Sequence, residues 1–155
     1  MMLSEGDTLP DVALTGVDGA PIRLADFRGK PLVVYFYPKA DTPGCTTEAI
    51  DFTGLIDRFA ALGVPVIAVS KDPVKKLARF AEKHALAVTL ASDEDGSACE
   101  AFGTWIEKSL YGRKYMGIER ATFLADADGR IARIWHKVKV KGHAAAVLEA
   151  VQALG

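Results

Sequence analysis

Leu32-Val33-Val34-Tyr35-Phe36-Tyr37, set between Pro31 and Pro38, is apolar on both faces. A short run with no polar face, closed at each end by proline, is the pattern of a central strand covered on both sides. The residues that follow decide the class of fold. Proline suits the first turn of a helix, and Pro43 predicts a helix start. Ala49, Phe52, Ile56 and Phe59 recur at helical spacing with Leu55 beside them, so one helix is expected to run until Gly63 stops it. Val64–Ser70 reads as a second buried strand. Asp72-Pro73 opens a second helix to about His84, with Leu77 and Phe80 facing inward and Lys75, Lys76, Arg79 and Lys83 facing water. Val88–Ala91 is a short third strand, and Asp95–Phe102 suggests a short helix.

Hairpins flank this β-α-β-α-β centre. Val12–Thr15 and Pro21–Leu24 enclose an Asp18-Gly19 turn, an N-terminal β-hairpin, and Phe27-Arg28-Gly29-Lys30-Pro31 makes a loop. Ala121–Ala125 and Arg130–Trp135 enclose Asp126-Ala127-Asp128-Gly129, and His143–Leu154 is a closing helix with Val147, Leu148, Val151 and Leu154 on one stripe. The fold class is therefore α/β, a mixed central sheet flanked by helices, parallel in the centre and antiparallel at the edge. A chain of 155 residues, half apolar and one quarter charged, fits one domain over residues 1–155 with a sizeable core. Nineteen basic against twenty acidic residues argue against nucleic acid or an anionic membrane as a partner. No apolar run is long enough to span a bilayer, and Met1–Pro10, which carries Glu5 and Asp7, does not read as a signal peptide.

The two cysteines, Cys45 and Cys99, form no CxxC pair and no zinc pattern with the three histidines. Thiols of this kind suit a reducing compartment, and a cytoplasmic location is expected. Cys45 lies just past the central strand, in the first turn of the helix that Pro43 opens. Unpaired backbone N–H groups and the helix dipole favour an anion there, hence a thiolate. Cys45 is in phase with Ala49, Phe52 and Ile56 and so points into the protein, where a small substrate can reach it. Pro38 and Pro43 stiffen the loop, and Thr42, three residues before the sulfur, can aim a hydroxyl at whatever the sulfur attacks.

Pro38-x-x-x-Thr42-x-x-Cys45 resembles the active-site motif of the peroxiredoxins. The longer Asp41-Thr42-Pro43-Gly44-Cys45-Thr46-Thr47-Glu48-Ala49 is similar to the bacterioferritin comigratory protein, or peroxiredoxin Q, subfamily. Ala91-Ser92-Asp93, Tyr111-Gly112-Arg113-Lys114, Gly117 to Phe123 and Val138 to His143 extend the resemblance over nearly the whole chain. It implies a thioredoxin-like (peroxiredoxin) fold and a thiol-dependent peroxidase acting on hydrogen peroxide and organic hydroperoxides. It also implies that Cys45 is the peroxidatic cysteine, passing through a sulfenic acid, that Thr42 holds the peroxide and that Pro38 shields the site. Arg120 then steadies the thiolate and the charge leaving on the second oxygen. No metal, haem, flavin or other cofactor is implied, and the expected unit is a monomer. Apart from the resemblance, Arg120 would read as a solvated arginine at a strand mouth.

Two positions where the subfamily places a resolving cysteine correspond to Ile50 and Ala81. Cys99 lies 54 positions from Cys45, beside Phe102, and reads as a small core residue. The expectation is a one-cysteine cycle cleared by an outside thiol: thioredoxin, glutaredoxin with glutathione, or another small thiol. The alternatives are a two-cysteine cycle with Cys99 as resolver and a low-turnover peroxide sensor. Trp105 and Trp135 are expected in core or loop packing, and His84, His136 and His143 as exposed or satisfied histidines. Lys137, Lys139 and Lys141, alternating with Val138 and Val140, suggest an edge strand guarded by lysine.

Overall fold

In the computed structural model, which describes residues 3–154, the run that opens the argument above is strand β3 (Leu32–Phe36), buried at all five positions. Its side chains alternate between two apolar layers. Val33 and Tyr35 face one with Tyr37 beyond them, and Leu32, Val34 and Phe36 face the other. Parallel neighbours extend the sheet to one side, β4 (Val66–Ser70) and then β5 (Thr89–Ser92). The N-terminal hairpin, β1 (Ala13–Gly16) and β2 (Pro21–Arg23), joins antiparallel beyond β5. On the other side β8 (Ala121–Ala125) and β9 (Ile131–Trp135) run antiparallel, which completes the order β2-β1-β5-β4-β3-β8-β9. The expected mixed sheet is thus present, with antiparallel strands at both edges.

Four helices cover the first layer: α1 (Pro43–Gly54), α2 (Ile56–Ala61), α3 (Val74–His84) and α5 (His143–Leu154). Phe52, Phe59, Leu77, Phe80, Val147 and Val151 bring their side chains into this core. Burying an aromatic or branched side chain of this kind contributes roughly 1.5–3 kcal/mol. The second layer is covered by α4 (Ser97–Ala101), by Leu9 and Leu24 from the N-terminal segment, and by Phe102 and Ile118.

Four expectations need correction. The single helix from Pro43 toward Gly63 is two helices. Leu55 leaves helical geometry at φ −108°, ψ 3°, and its N–H bonds back to Phe52. Gly54, a weak helix former, precedes the break, and Phe52 and Phe59 are still both fully buried across it. The Phe27–Pro31 loop begins inside a 3₁₀ turn at Leu24–Phe27. A two-stranded ribbon, β6 (Trp105–Leu110) with β7 (Arg113–Ile118), stands apart from the main sheet where no strands were expected. Lys137, Lys139 and Lys141 lie in a loop, where the Val138 N–H donates to the carbonyl of Arg120 rather than to a strand.

Candidate active site

At the C-terminal end of β3 the chain crosses a short loop into α1, and that loop is pinned at both flanks. The Ala40 N–H donates to Asp72 Oδ2 at 2.7 Å, an acceptor shared with Ser70 Oγ at 2.8 Å. Asp41, in the left-handed region at φ 63°, accepts from Lys83 Nζ at 2.9 Å and pairs with His84 Nε2 at 2.9 Å. Two points on α3 and one on the β4–α3 connection therefore fix the entry to α1. Charge-assisted bonds of this kind are the stronger class of hydrogen bond.

Thr42 caps α1 with its backbone, its carbonyl accepting from Thr46 N at 2.8 Å. Its hydroxyl donates to the carbonyl of Lys39 at 2.8 Å. The hydroxyl proton is thus committed, and Thr42 offers a ligand its oxygen lone pairs. Cys45 follows at the third helical position, 2% exposed, with its sulfur in the first core layer.

Arg120, in the turn before β8, brings one guanidinium to two partners. Nη2 donates to Cys45 Sγ at 3.4 Å, and Nη1 donates to Glu48 Oε1 at 2.7 Å. Gly44 leaves room for this approach, since a Cβ there would lie 3.2 Å from Arg120 Nη2 and press the guanidinium back by a few tenths of an ångström. The backbone carbonyl of Arg120 is itself held by Val138 N at 2.9 Å.

Glu48 is the functional-site residue that the sequence reading passed over. It is 1% exposed, and its second oxygen, Oε2, has no hydrogen-bond partner among the described residues. Burial pushes its carboxyl up to about 7, against the opposing pull of Arg120. One signal for it was present: Glu48 stands three residues after Cys45, one turn along the same face. Behind Arg120, His143 is buried at the start of α5, 2.7 Å from Thr122 Oγ1, and burial followed by the charge of Arg120 brings it down to about 4. His84 pairs with Asp41, and His136 Nδ1 with Glu119 Oε2 at 2.9 Å.

Of the residues named from sequence, Cys45, Thr42 and Pro38 lie along one loop and helix start, and Arg120 reaches Cys45 from just before β8, the strand next to β3. Cys99 is elsewhere. It sits on α4, fully buried in the second core layer, on the opposite face of the sheet from Cys45. Asp93 receives the N–H groups of Ala98 and Cys99 at 2.9 and 2.8 Å, and burial, with Asp93 beside it, pushes the Cys99 thiol up. Trp135 packs against the first core and edge-on to His143, as expected. Trp105 packs against the second core but also carries Lys71 Nζ over its ring at 3.9 Å.

A buried sulfur under a guanidinium, with a threonine oxygen and a proline at the loop, is an arrangement for nucleophilic attack by sulfur on a small polar substrate. Residues 6–134 match the AhpC/TSA family model. The chain is 45% identical to peroxiredoxin Bcp of Bacillus subtilis over 152 residues, 98% of this chain and 97% of that protein. It is 47% identical to peroxiredoxin Bcp of Escherichia coli over 146 residues, 94% of each. Among solved structures, a cysteine mutant of Xylella fastidiosa PrxQ superposes with a TM-score of 0.93 at 38% identity, covering 99% of this chain and 98% of that one. The bacterioferritin comigratory protein of Xanthomonas campestris, studied for alkyl peroxide reduction, superposes with a TM-score of 0.88 at 42% identity, covering 95% of this chain and 98% of that one.

Proposed function

The chain belongs to the AhpC/TSA family and, within it, to the Bcp/peroxiredoxin Q peroxiredoxins, which are thiol-dependent peroxidases; from that premise we propose that Cys45 is the peroxidatic cysteine of a one-cysteine cycle. The thiolate of Cys45 attacks the nearer oxygen of a hydroperoxide, the O–O bond breaks, and the second oxygen leaves as hydroxide or alkoxide and takes up a proton. Sulfur is oxidised to the sulfenic acid and the peroxide is reduced to water or an alcohol. The observation that carries this reading is the 3.4 Å approach of Arg120 Nη2 to Cys45 Sγ. A fixed cation at that point stabilises charge on the sulfur before attack and on the departing oxygen after it. Thr42 Oγ1 accepts a hydrogen bond from the hydroperoxide O–H and so orients it, and Pro38 walls the site against bulk water. Hydrogen peroxide and organic hydroperoxides, including alkyl peroxides of the kind the Xanthomonas relative was studied with, are the proposed substrates.

The one-cysteine form of the cycle is supported by the layering. A disulfide needs Cα atoms within about 7 Å, and the sheet lies between Cys45 and Cys99. Ile50 occupies an exposed place on α1, and Ala81 a half-buried one on α3, so neither supplies sulfur. The reductant is then an outside thiol, whether a dithiol protein such as thioredoxin or glutaredoxin, or a small molecule.

The test is intact mass after one equivalent of peroxide, with turnover measured in parallel. The expected product gains one oxygen, Cys45→Ser removes peroxide reduction while the chain stays folded, and Cys99→Ser turns over normally with a suitable thiol. Loss of two hydrogens, together with a collapse of thiol-driven turnover in Cys99→Ser, would establish Cys99 as resolver instead. A single turnover that no reductant renews would mark a sensor.

A further inference from the structure

Beside Pro38, at the carboxyl ends of β3 and β4 where α/β folds place their ligands, a cavity of about 420 Å³ opens between the main sheet and the β6–β7 ribbon. Its apolar surface comes from Pro38, Pro73, Trp105, Tyr115, Met116 and Ile118. Its charge is one-sided. Lys39, Lys71 and Lys108 contribute three cations, against the single carboxylate of Asp72. That carboxylate is already spent, with Oδ2 taken by Ala40 N and Ser70 Oγ and Oδ1 paired with Lys76 Nζ at 3.3 Å.

Two of the lysines are held in place. Lys71 Nζ lies over the Trp105 ring at 3.9 Å. The Lys108 chain crosses Gly117, where a Cβ would meet its Cδ at 3.2 Å. Lys39, in the cavity lining, accepts the Thr42 hydroxyl on its carbonyl at 2.8 Å, and Ile118, also in the lining, stands two residues before Arg120. The cavity therefore adjoins the loop that carries Thr42 and leads into Cys45, with an apolar floor and a cationic rim.

We propose that this cavity receives the outside thiol that clears the sulfenic acid, and that the thiol is a small organic molecule carrying one or more carboxylates on an uncharged body. The inference rests on the one-cysteine reading above. That reading requires a foreign sulfur to reach Cys45, and a sulfur 2% exposed admits a small molecule far more readily than the rim of a folded protein. In the first step the thiolate of the small molecule attacks the sulfenic sulfur of Cys45. The S–O bond breaks, the oxygen leaves as water after taking up a proton, and a mixed disulfide forms. In the second, another molecule of the same thiol attacks the mixed disulfide at its own kind of sulfur. Cys45 leaves as the thiolate, and the small thiol departs as its disulfide, two thiols oxidised for one sulfenic sulfur reduced. The carboxylate pairs with Lys71 or Lys108, and the uncharged body lies along Trp105 and Met116.

The experiment forms the sulfenic acid with one equivalent of hydrogen peroxide and follows its decay with mercaptosuccinate, 3-mercaptopropionate and neutral 2-mercaptoethanol, each rate divided by its thiolate fraction. At low ionic strength the expected order is the order of carboxylate number. Each carboxylate is worth roughly twofold to fivefold, the scale of one solvent-accessible ion pair, and the advantage shrinks as salt is added. In Lys71→Glu the ratio of 3-mercaptopropionate to 2-mercaptoethanol falls to about one or below, and Lys108→Gln lowers it partway. Equal rates for charged and neutral thiols in the unaltered protein would overturn the proposal. So would an unchanged ratio in Lys71→Glu. If Lys71→Glu instead slows oxidation of Cys45 by a carboxylate-bearing hydroperoxide and spares the thiol ratio, the cavity serves the oxidant and the proposal fails. A normal sulfenic acid whose reduction ignores thiol charge brings down this inference alone, whereas failure to form any sulfenic acid on Cys45 brings down the cycle beneath it.

Discussion

Arg120 spends its two terminal nitrogens on different partners, one on the Cys45 sulfur and one on the buried Glu48 carboxylate. Replacing it with methionine keeps most of the length and removes the charge. Arg120→Met is expected to lower kcat/KM for hydrogen peroxide by roughly 10²-fold or more, the scale seen when one preorganised stabiliser of developing charge is deleted. Rapid-mixing kinetics would show this, and a rate near that of the unaltered protein would reduce Arg120 to a packing role. At this scale Pro38, Thr42 and Cys45 were legible as candidates because they share one short motif. Arg120 was recognisable only through the Gly117–Phe123 pattern, since nothing local distinguishes a catalytic arginine from a solvated one. Glu48 was missed for a related reason. A carboxylate on a helix ordinarily faces water, and only the third dimension shows that this one lies under the guanidinium.

At the scale of elements, β3, β4, α3 and α5 were legible because burial or amphipathic spacing is written directly into their residues. The ribbon was not. Trp105-Ile106-Glu107-Lys108-Ser109-Leu110 does not alternate cleanly, because the strand packs partly on a cavity instead of a continuous core. Its turn also hides itself. Tyr111 and Gly112 both take positive φ, 51° and 79°, as a two-residue hairpin turn requires, but tyrosine is an unusual occupant of that region. Tyr111 is 96% exposed, so its ring gains nothing from burial in return. Tyr111→Asn is expected to relieve about 0.5–1 kcal/mol of backbone strain. Hydrogen exchange at the Trp105–Ile118 amides should slow by roughly twofold to fivefold. Exchange that stays the same or quickens would show that the turn does not govern opening of the ribbon. The Leu55 break was equally invisible, since Phe52 and Phe59 keep helical spacing across it.

For the molecule as a whole, two buried titratable groups pull in opposite directions. Glu48 titrates at about 7 in the folded chain against an ordinary 4.5, so between those values the folded chain holds the extra proton and stability falls as pH rises. His143 titrates at about 4 against an ordinary 6.5, so the unfolded chain holds the extra proton there and stability rises with pH. Where the windows overlap the two slopes cancel. Urea unfolding at several values between about pH 4.5 and 6.5 should show little change from this pair. Glu48→Gln removes one side of the balance, and stability should then climb by roughly 1 kcal/mol per pH unit across that range. A flat profile in Glu48→Gln would mean that the fold does not hold His143 neutral, and a rising profile in the unaltered protein would mean that the buried Glu48 carboxyl does not hold its proton.

The sheet that divides the two thiols has one more consequence, and it concerns how the chain arrives at its native state. In the folded protein the Cys45 and Cys99 sulfurs belong to different core layers. In the unfolded chain nothing separates them. A disulfide closed there would tie together two sites that the finished sheet must hold apart, so the bonded chain and the native topology exclude one another. Refolding from denaturant in the presence of an oxidant should therefore yield a trapped, inactive monomer that a reductant rescues, whereas refolding with both thiols reduced should proceed to full activity. An oxidised, cross-linked chain that recovered native activity without reduction would contradict the layering. Oxidant exposure during synthesis would then be a different hazard from exposure afterwards: the same two atoms that the folded sheet sets in separate layers are each other's nearest chemical danger before it forms.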